Sequence, residues 1–183
     1  MADQPFDVRT DGDAQRIGAE ALGEPGQRRF RILAIIDGET HIVWMEKQQV
    51  QALGLALEQV LEQLADEGPE LSEPNAPLQF DPNTRSQFRA GRMELGFDEQ
   101  RDRLVIIAHD VEDESDTPRF TCRISREQAR EFSAEAAAVV AAGRPRCPLC
   151  GASMDPGHHA CPQQNGHFPL HAEPDDAADT PAG

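Results

Sequence analysis

No apolar run in this chain approaches the ~20 residues that a membrane-spanning helix needs, which excludes a helical span. Positive charge is scarce. Seventeen Lys and Arg stand against 33 Asp and Glu, for a formal net charge of −16. Phosphate backbones and anionic lipid surfaces attract basic faces, so neither nucleic acid nor a membrane is an expected partner. The opening residues Met1-Ala2-Asp3-Gln4-Pro5 lack the basic and apolar regions of a secretory signal. There is no P-loop, no Gly-x-Ser-x-Gly elbow and no His-Glu-x-x-His. Cysteine is limited to four residues, three of them in one short stretch, which argues against a disulfide framework. The expectation is a cytoplasmic protein with reduced thiols and high solubility.

What is present is order in the middle of the chain. Its 183 residues suit one ordinary domain or two small ones. Two segments read alike. The first runs from Arg16-Ile17-Gly18 and Leu22-Gly23 through Phe30-Arg31-Ile32-Leu33-Ala34-Ile35-Ile36 to His41-Ile42-Val43-Trp44-Met45. The second runs from Arg89-Ala90-Gly91 and Leu95-Gly96 through Leu104-Val105-Ile106-Ile107-Ala108 to Phe120-Thr121-Cys122-Arg123-Ile124. Each reads as three strands followed by a helix. Val50, Leu53, Leu57, Val60 and Leu61 share their spacing with Ala129, Phe132, Ala136, Val139 and Val140, one stripe along each helix. Identical spacing in two places points to duplication.

Local chemistry supports these elements. Asp37-Gly38 between apolar runs is a two-residue hairpin signal, because both central positions need positive φ. Gly23-Glu24-Pro25-Gly26 reads as a turn before the Phe30 strand. Ser125 and Gln128 form a capping box, and Glu46-Lys47-Gln48-Gln49 reads as an acidic first helical turn.

The expected fold is α+β: two duplicated βββα units sharing a core, with a small C-terminal zinc-binding knuckle. Residues 1–65 form the first unit, 66–86 a Pro-rich acidic linker, 87–143 the second unit, 144–170 the knuckle and 171–183 a disordered tail. One six-stranded sheet and two packed sheets both remain open.

The knuckle carries the strongest chemical signal. Cys147-Pro148-Leu149-Cys150-Gly151 places two thiolates on a tight turn, and His159 and Cys161 follow nine to eleven residues on from Cys150. Zinc takes four tetrahedral N/S ligands, and Cys₃His is a common structural set. The reading is one structural Zn²⁺ held by Cys147, Cys150, His159 and Cys161, with His158 and then His167 as alternative fourth ligands. Three thiolates and a histidine leave no open position for a catalytic water. Redox use of Cys147 and Cys150 is the lesser reading, because this pair follows a helix instead of opening one.

Other candidates have bland explanations. His41 and His109 fall in or beside strands. Cys122 alternates with Phe120 and Ile124, as a core thiol does, and Trp44 reads as packing on a sheet face. The acids from Asp110 to Asp116 lack the glycine and terminal glutamate of a calcium loop. The glycines at 23 and 26 with Arg28 and Arg29 offer an approach for phosphate, although a hairpin turn explains them equally.

The series Gly23-Glu24-Pro25-Gly26-Gln27-Arg28, Glu46-Lys47-Gln48-Gln49-Val50, Gln128-Ala129-Arg130, Ala141-Ala142-Gly143-Arg144-Pro145, Cys147-Pro148-Leu149-Cys150-Gly151, Asp155-Pro156, Cys161-Pro162 and Asn165-Gly166 resembles an actinobacterial conserved repeat-protein family of unknown function, domain of unknown function 3090. It spans Gln15 to Gly166, more than four-fifths of the chain. Members resemble one another in a His-x-Cys-Pro ending, which falls on His159 and Cys161. An aromatic residue often follows the family's Asn-Gly, where this chain has His167. The resemblance implies a cytoplasmic bacterial protein with no established activity. Its members' genes tend to lie near phosphatase-like and kinase-like genes.

The functional expectation is a non-catalytic binding or adaptor module with no catalytic or cofactor residues, a protein partner of unspecified identity, and homo-oligomerisation left open. One alternative is an enzyme acting on a small phosphorylated metabolite, with Arg28 and Arg29 binding the anion and His41 or His109 as base. It requires these residues to converge on one cleft. A second alternative is nucleic-acid binding through the knuckle, aided by Arg144 and Arg146.

Overall fold

Asp37 and Gly38 have φ of 52° and 82°, so the two-residue turn between the first apolar runs takes the doubly left-handed form that Asp-Gly favours. That turn joins β2 (Arg29–Ile36) to β3 (Glu39–Met45). The structure is a computed structural model, which describes residues 9–24, 26–64, 73–142, 147, 149–151 and 161. The other described elements are β1 (Thr10–Leu22), α1 (Lys47–Leu64), β4 (Gln87–Asp98), β5 (Arg103–Asp110), β6 (Phe120–Ile124) and α2 (Arg126–Ala142). By contacts the chain divides into residues 1–144 and residues 145–183.

The six strands close into one barrel in sequence order. β1–β2–β3 and β4–β5–β6 are antiparallel meanders. Two parallel seams join them: Trp44 faces Arg89 across β3 and β4, and Thr10 faces Phe120 across β1 and β6. The seams are short, four residue pairs between β1 and β6 and three between β3 and β4, and beyond them the Ile17 and Ala19 amides of β1 donate to the Asn75 and Glu135 side chains. Between one sheet and two, the structure has one.

β1 begins at Thr10, six residues before the apolar signal at Arg16. Asp11, Asp13 and Gln15 face water, and Gly12 lies against Ile36 so closely that a Cβ there would sit 2.4 Å from the Ile36 Cγ2. Polar alternation and a close-packing glycine give a stretch that looks like a loop in composition.

Both helices are capped from their own first turns. The Ser125 amide donates to Gln128 Oε1 at 2.9 Å, and the Gln128 amide donates to Ser125 Oγ at 3.1 Å. At α1 the expected acidic first turn is corrected. Glu46 precedes the helix, its amide donates to Gln49 Oε1 at 2.8 Å, and its carboxylate pairs with Arg89 instead.

The core runs through the barrel and the helix stripes, from Phe30, Ile32 and Ala34 through Leu104, Ile106 and Phe120 to Leu57 and Phe132. α1 and α2 meet where side chains are small. A Cβ on Gly54 would stand 3.2 Å from the Ala136 Cβ, and Ser133 Oγ donates to the Gly54 carbonyl at 2.8 Å. Arg126 ties three pieces together: it donates to Asp102 at 2.8 Å and to the Leu64 carbonyl at 2.8 Å while almost fully buried.

The described part of the connection between the meanders, residues 73–86, is a strap rather than a free chain. Asn75 Oδ1 accepts from the Ile17 amide at 2.8 Å, the Ala76 amide donates to the Gln15 carbonyl at 2.8 Å, and the Asp81 amide donates to Thr40 Oγ1 at 2.9 Å. The Arg16 guanidinium lies 4.8 Å over the Phe80 ring.

Candidate metal centre

A turn at Leu149 and Cys150, closed by Gly151, shapes the described part of the segment after α2. Gly151 has φ of 72°, which a side chain resists, and its amide donates to the Cys147 carbonyl at 2.8 Å. This turn brings Cys147 and Cys150 onto one side. Cys161 arrives from farther along, and the sulfurs of Cys147, Cys150 and Cys161 all lie within 4.8 Å of one another. The Cys147 and Cys161 sulfurs are 3.7 Å apart, and none of the three is in a disulfide. Tetrahedral ligands about 2.3 Å from a metal lie roughly 3.8 Å from each other, so this spacing suits a shared ion and not a sulfur–sulfur bond.

Electrostatics agree with geometry. The amides of Cys150 and Leu149 donate to the Cys147 sulfur and hold its thiol pKa down to about 6. A thiolate is the form that binds metal. Three thiols therefore form a cluster able to hold a metal ion. His158, His159 and His167 lie outside the described residues, as do Arg144 and Arg146.

The other sequence candidates fall elsewhere. His41 is buried beside the Phe120 ring, with centroids 6.5 Å apart. Its Nδ1 lies 2.6 Å from Ser86 Oγ and 3.1 Å from Thr10 Oγ1. A cavity of about 560 Å³ opens nearby, lined by Thr40, Asp81, Arg85, Ser86 and Arg119. Ser86 had no sequence signal, since it sits among turn residues. His109 is held by Glu94 at 3.1 Å and Arg92 at 3.2 Å, and Arg92 also pairs with Asp116 of the acidic loop at 2.8 Å. That network ties down the loop without assembling a cation cage. Cys122 is fully buried, and burial pushes its thiol pKa well up.

Arg28 and Arg29 lie at the far end of β2 from His41. Phe30 faces Met45, whereas His41 faces Ala34 four residues along, a backbone separation of roughly 13 Å. The cavity that Arg28 and Arg29 line is bordered by neither histidine. The convergence that the enzyme alternative requires is not formed.

The described residues thus define a six-stranded barrel with two helices, and a three-thiol cluster toward the C-terminus. A family model described as protein of unknown function (DUF3090) matches residues 12–161, and the chain belongs to that family. No curated protein and no solved structure matches the chain. No described helix is long and apolar enough to cross a membrane.

Proposed function

We propose that this chain is a non-catalytic binding module of an actinobacterial cytoplasm, with one structural zinc ion held by Cys147, Cys150, Cys161 and His159. The observation that carries the reading is the meeting of three sulfurs within 4.8 Å, one of them already biased to thiolate by backbone amides. Three sulfur ligands favour zinc over hard cations, which prefer oxygen. A fourth protein ligand would fill the tetrahedron, so the metal's work would be to hold the knuckle's shape. That shape would then present Leu149, which is 55% exposed, to a protein partner. The matching stripes on α1 and α2, and the order βββα twice over, support descent from a duplicated unit.

The test is metal content of protein purified without chelator, with melting followed before and after a strong chelator. One zinc per chain and a lower melting temperature without it are the expected result. One zinc with an unchanged melt would make the knuckle an independently folded interaction surface. Protein that binds no zinc on reconstitution would overturn the reading and return Cys147 and Cys150 to redox chemistry. The enzyme alternative draws no support from the placement of His41 and His109. Nucleic-acid binding has the net charge of −16 against it.

A further inference from the structure

Arginines on the barrel's outer face differ in whether they have an acid. Arg31 and Arg29 alternate on β2 and share one face, and Trp44 on β3 stands beside them. The Arg31 guanidinium lies 5.3 Å over the indole and pairs with Glu20 at 2.7 Å. The Arg29 guanidinium lies closer to the indole, at 4.2 Å, and has no carboxylate partner among the described residues. Arg28 is likewise without an ion pair among them, and its Nε is shut off from water with no hydrogen-bond acceptor. Arg89, which faces Trp44 across the parallel seam, pairs with Glu46 at 2.6 Å.

Arg28, Arg29, Trp44, Glu46 and Arg89 line one cavity of about 280 Å³, floored by Phe30 and Met45. It therefore holds three guanidinium charges and one carboxylate. Guanidinium groups so gathered repel one another, and a buried N–H without an acceptor costs free energy comparable to a lost hydrogen bond. This occurs on a chain with nearly two acids for each base, where carboxylate partners abound. α1 begins at Lys47, next to the cavity-lining Glu46, so the positive end of its dipole lies at the rim.

The geometry points to an oxyanion-binding site of the phosphate-monoester class in this cavity. Two uncompensated positive charges match a dianion better than a monocarboxylate. Arginine's planar fork suits phosphate oxygens, and stacking on Trp44 holds the Arg29 fork in place. The volume lies at the lower edge of small-molecule pockets, so the ligand is a small phosphorylated compound and not a polymer. No catalytic group accompanies it: the site binds. It does not depend on the metal reading, since none of its residues belongs to the thiol cluster.

Trp44 is the sole tryptophan, so its fluorescence reports this cavity directly. The full chain is titrated with inorganic phosphate and with glycerol phosphate at constant ionic strength, using chloride as the control. A saturable fluorescence change with a rise in melting temperature is expected from phosphate or its ester and not from chloride. Tighter binding of the ester would mark a metabolite site, and equal binding a free-phosphate site. Arg28→Ala and Arg89→Gln should each weaken binding roughly tenfold or more. Arg85→Ala, which removes an arginine from the other cavity, should leave it unchanged. If Arg28→Ala fails to fold, Arg29→Gln serves, because Arg29 is exposed. No saturable change, or an equal loss in Arg85→Ala, overturns the proposal.

Discussion

The Nδ1 of His41 stands 2.6 Å from the hydroxyl of Ser86, and this contact stitches β3 to the segment entering β4. Thr10 reaches the same nitrogen from the start of β1, at 3.1 Å. The Ile42 amide also donates to the Ser86 carbonyl, at 2.9 Å. One buried ring thus touches chain ends from both parallel seams, where local hairpins cannot hold the barrel shut.

Burial lowers the His41 pKa below its ordinary 6.5, against the opposing pull of Glu39 and Asp37. The folded state therefore prefers the neutral ring. Above pH 6.5 folded and unfolded rings are both neutral, and the contribution is fully present. As pH falls below 6.5 the unfolded ring takes its proton first, and stability is lost until the folded pKa is passed. His41→Gln should cost about 1–3 kcal/mol at pH 7.5 through lost hydrogen bonds and packing. The gap between wild type and variant should narrow towards pH 5. Urea unfolding at several pH values reads it, and parallel curves would show that His41 is not the titrating group.

Arg126 is the clearest buried charge. It spans the entry to α2, Asp102 in the β4–β5 turn and the last carbonyl of α1, with its side chain 8% exposed. Removing one member of such a pair leaves the other without its partner. Arg126→Ala is expected to cost roughly 3–5 kcal/mol. Lysine should restore little of that, since an ammonium cannot reproduce a fork that donates in two directions. Thermal melts of the two variants decide it, and a lysine variant as stable as wild type would count against the forked role.

Local features of this fold were legible in the sequence and closure was not. The Asp37-Gly38 turn, the Ser125–Gln128 cap and the two helical stripes were readable because each is set by residues a few positions apart. Pairing of Ile42 with Gln87 or of Thr10 with Phe120 joins residues tens of positions apart, and no local pattern encodes it. The strand at Thr10 was hidden for a related reason: it is extended because β6 lies beside it, with Asp11 paired to Arg123 at 2.7 Å, and not because its own residues favour a strand. In the candidate site, Cys147, Cys150 and Cys161 announced themselves by spacing. Ser86 and Arg89 did not, because their importance comes from which strand ends meet.

Helix crossing supplies a packing test. Gly54 on α1 meets Ala136 and Ser133 of α2, with Leu57 and Phe132 filling the core alongside. A β-branched side chain there has no room, since even a Cβ would be 3.2 Å from its neighbour. Gly54→Val should cost about 1–3 kcal/mol by forcing the helices apart. Leu55 is 51% exposed one residue on, so Leu55→Val keeps the chemistry and should change stability by less than about 0.5 kcal/mol. Comparable losses in both variants would mean that helix propensity, and not the crossing, sets the result.

The four thiols divide by environment, and that division can be counted. Cys122 lies in the barrel core with its thiol pKa raised by burial, so it offers neither access nor thiolate. Cys147 has a thiol pKa near 6 and sits with Cys150 and Cys161 in the knuckle. In chelated native protein at neutral pH, three thiols should react with an aromatic disulfide reagent, Cys147 among the first. The fourth should react only on unfolding. Reconstitution with zinc should slow the three together, because a shared ion withdraws all of its thiolates at once. Slowing of one or two alone would mean that the ion does not bridge the cluster. A rapidly reacting Cys122 would mean that the barrel opens on the timescale of the assay, and that the contacts at His41 hold the seams less firmly than their geometry implies.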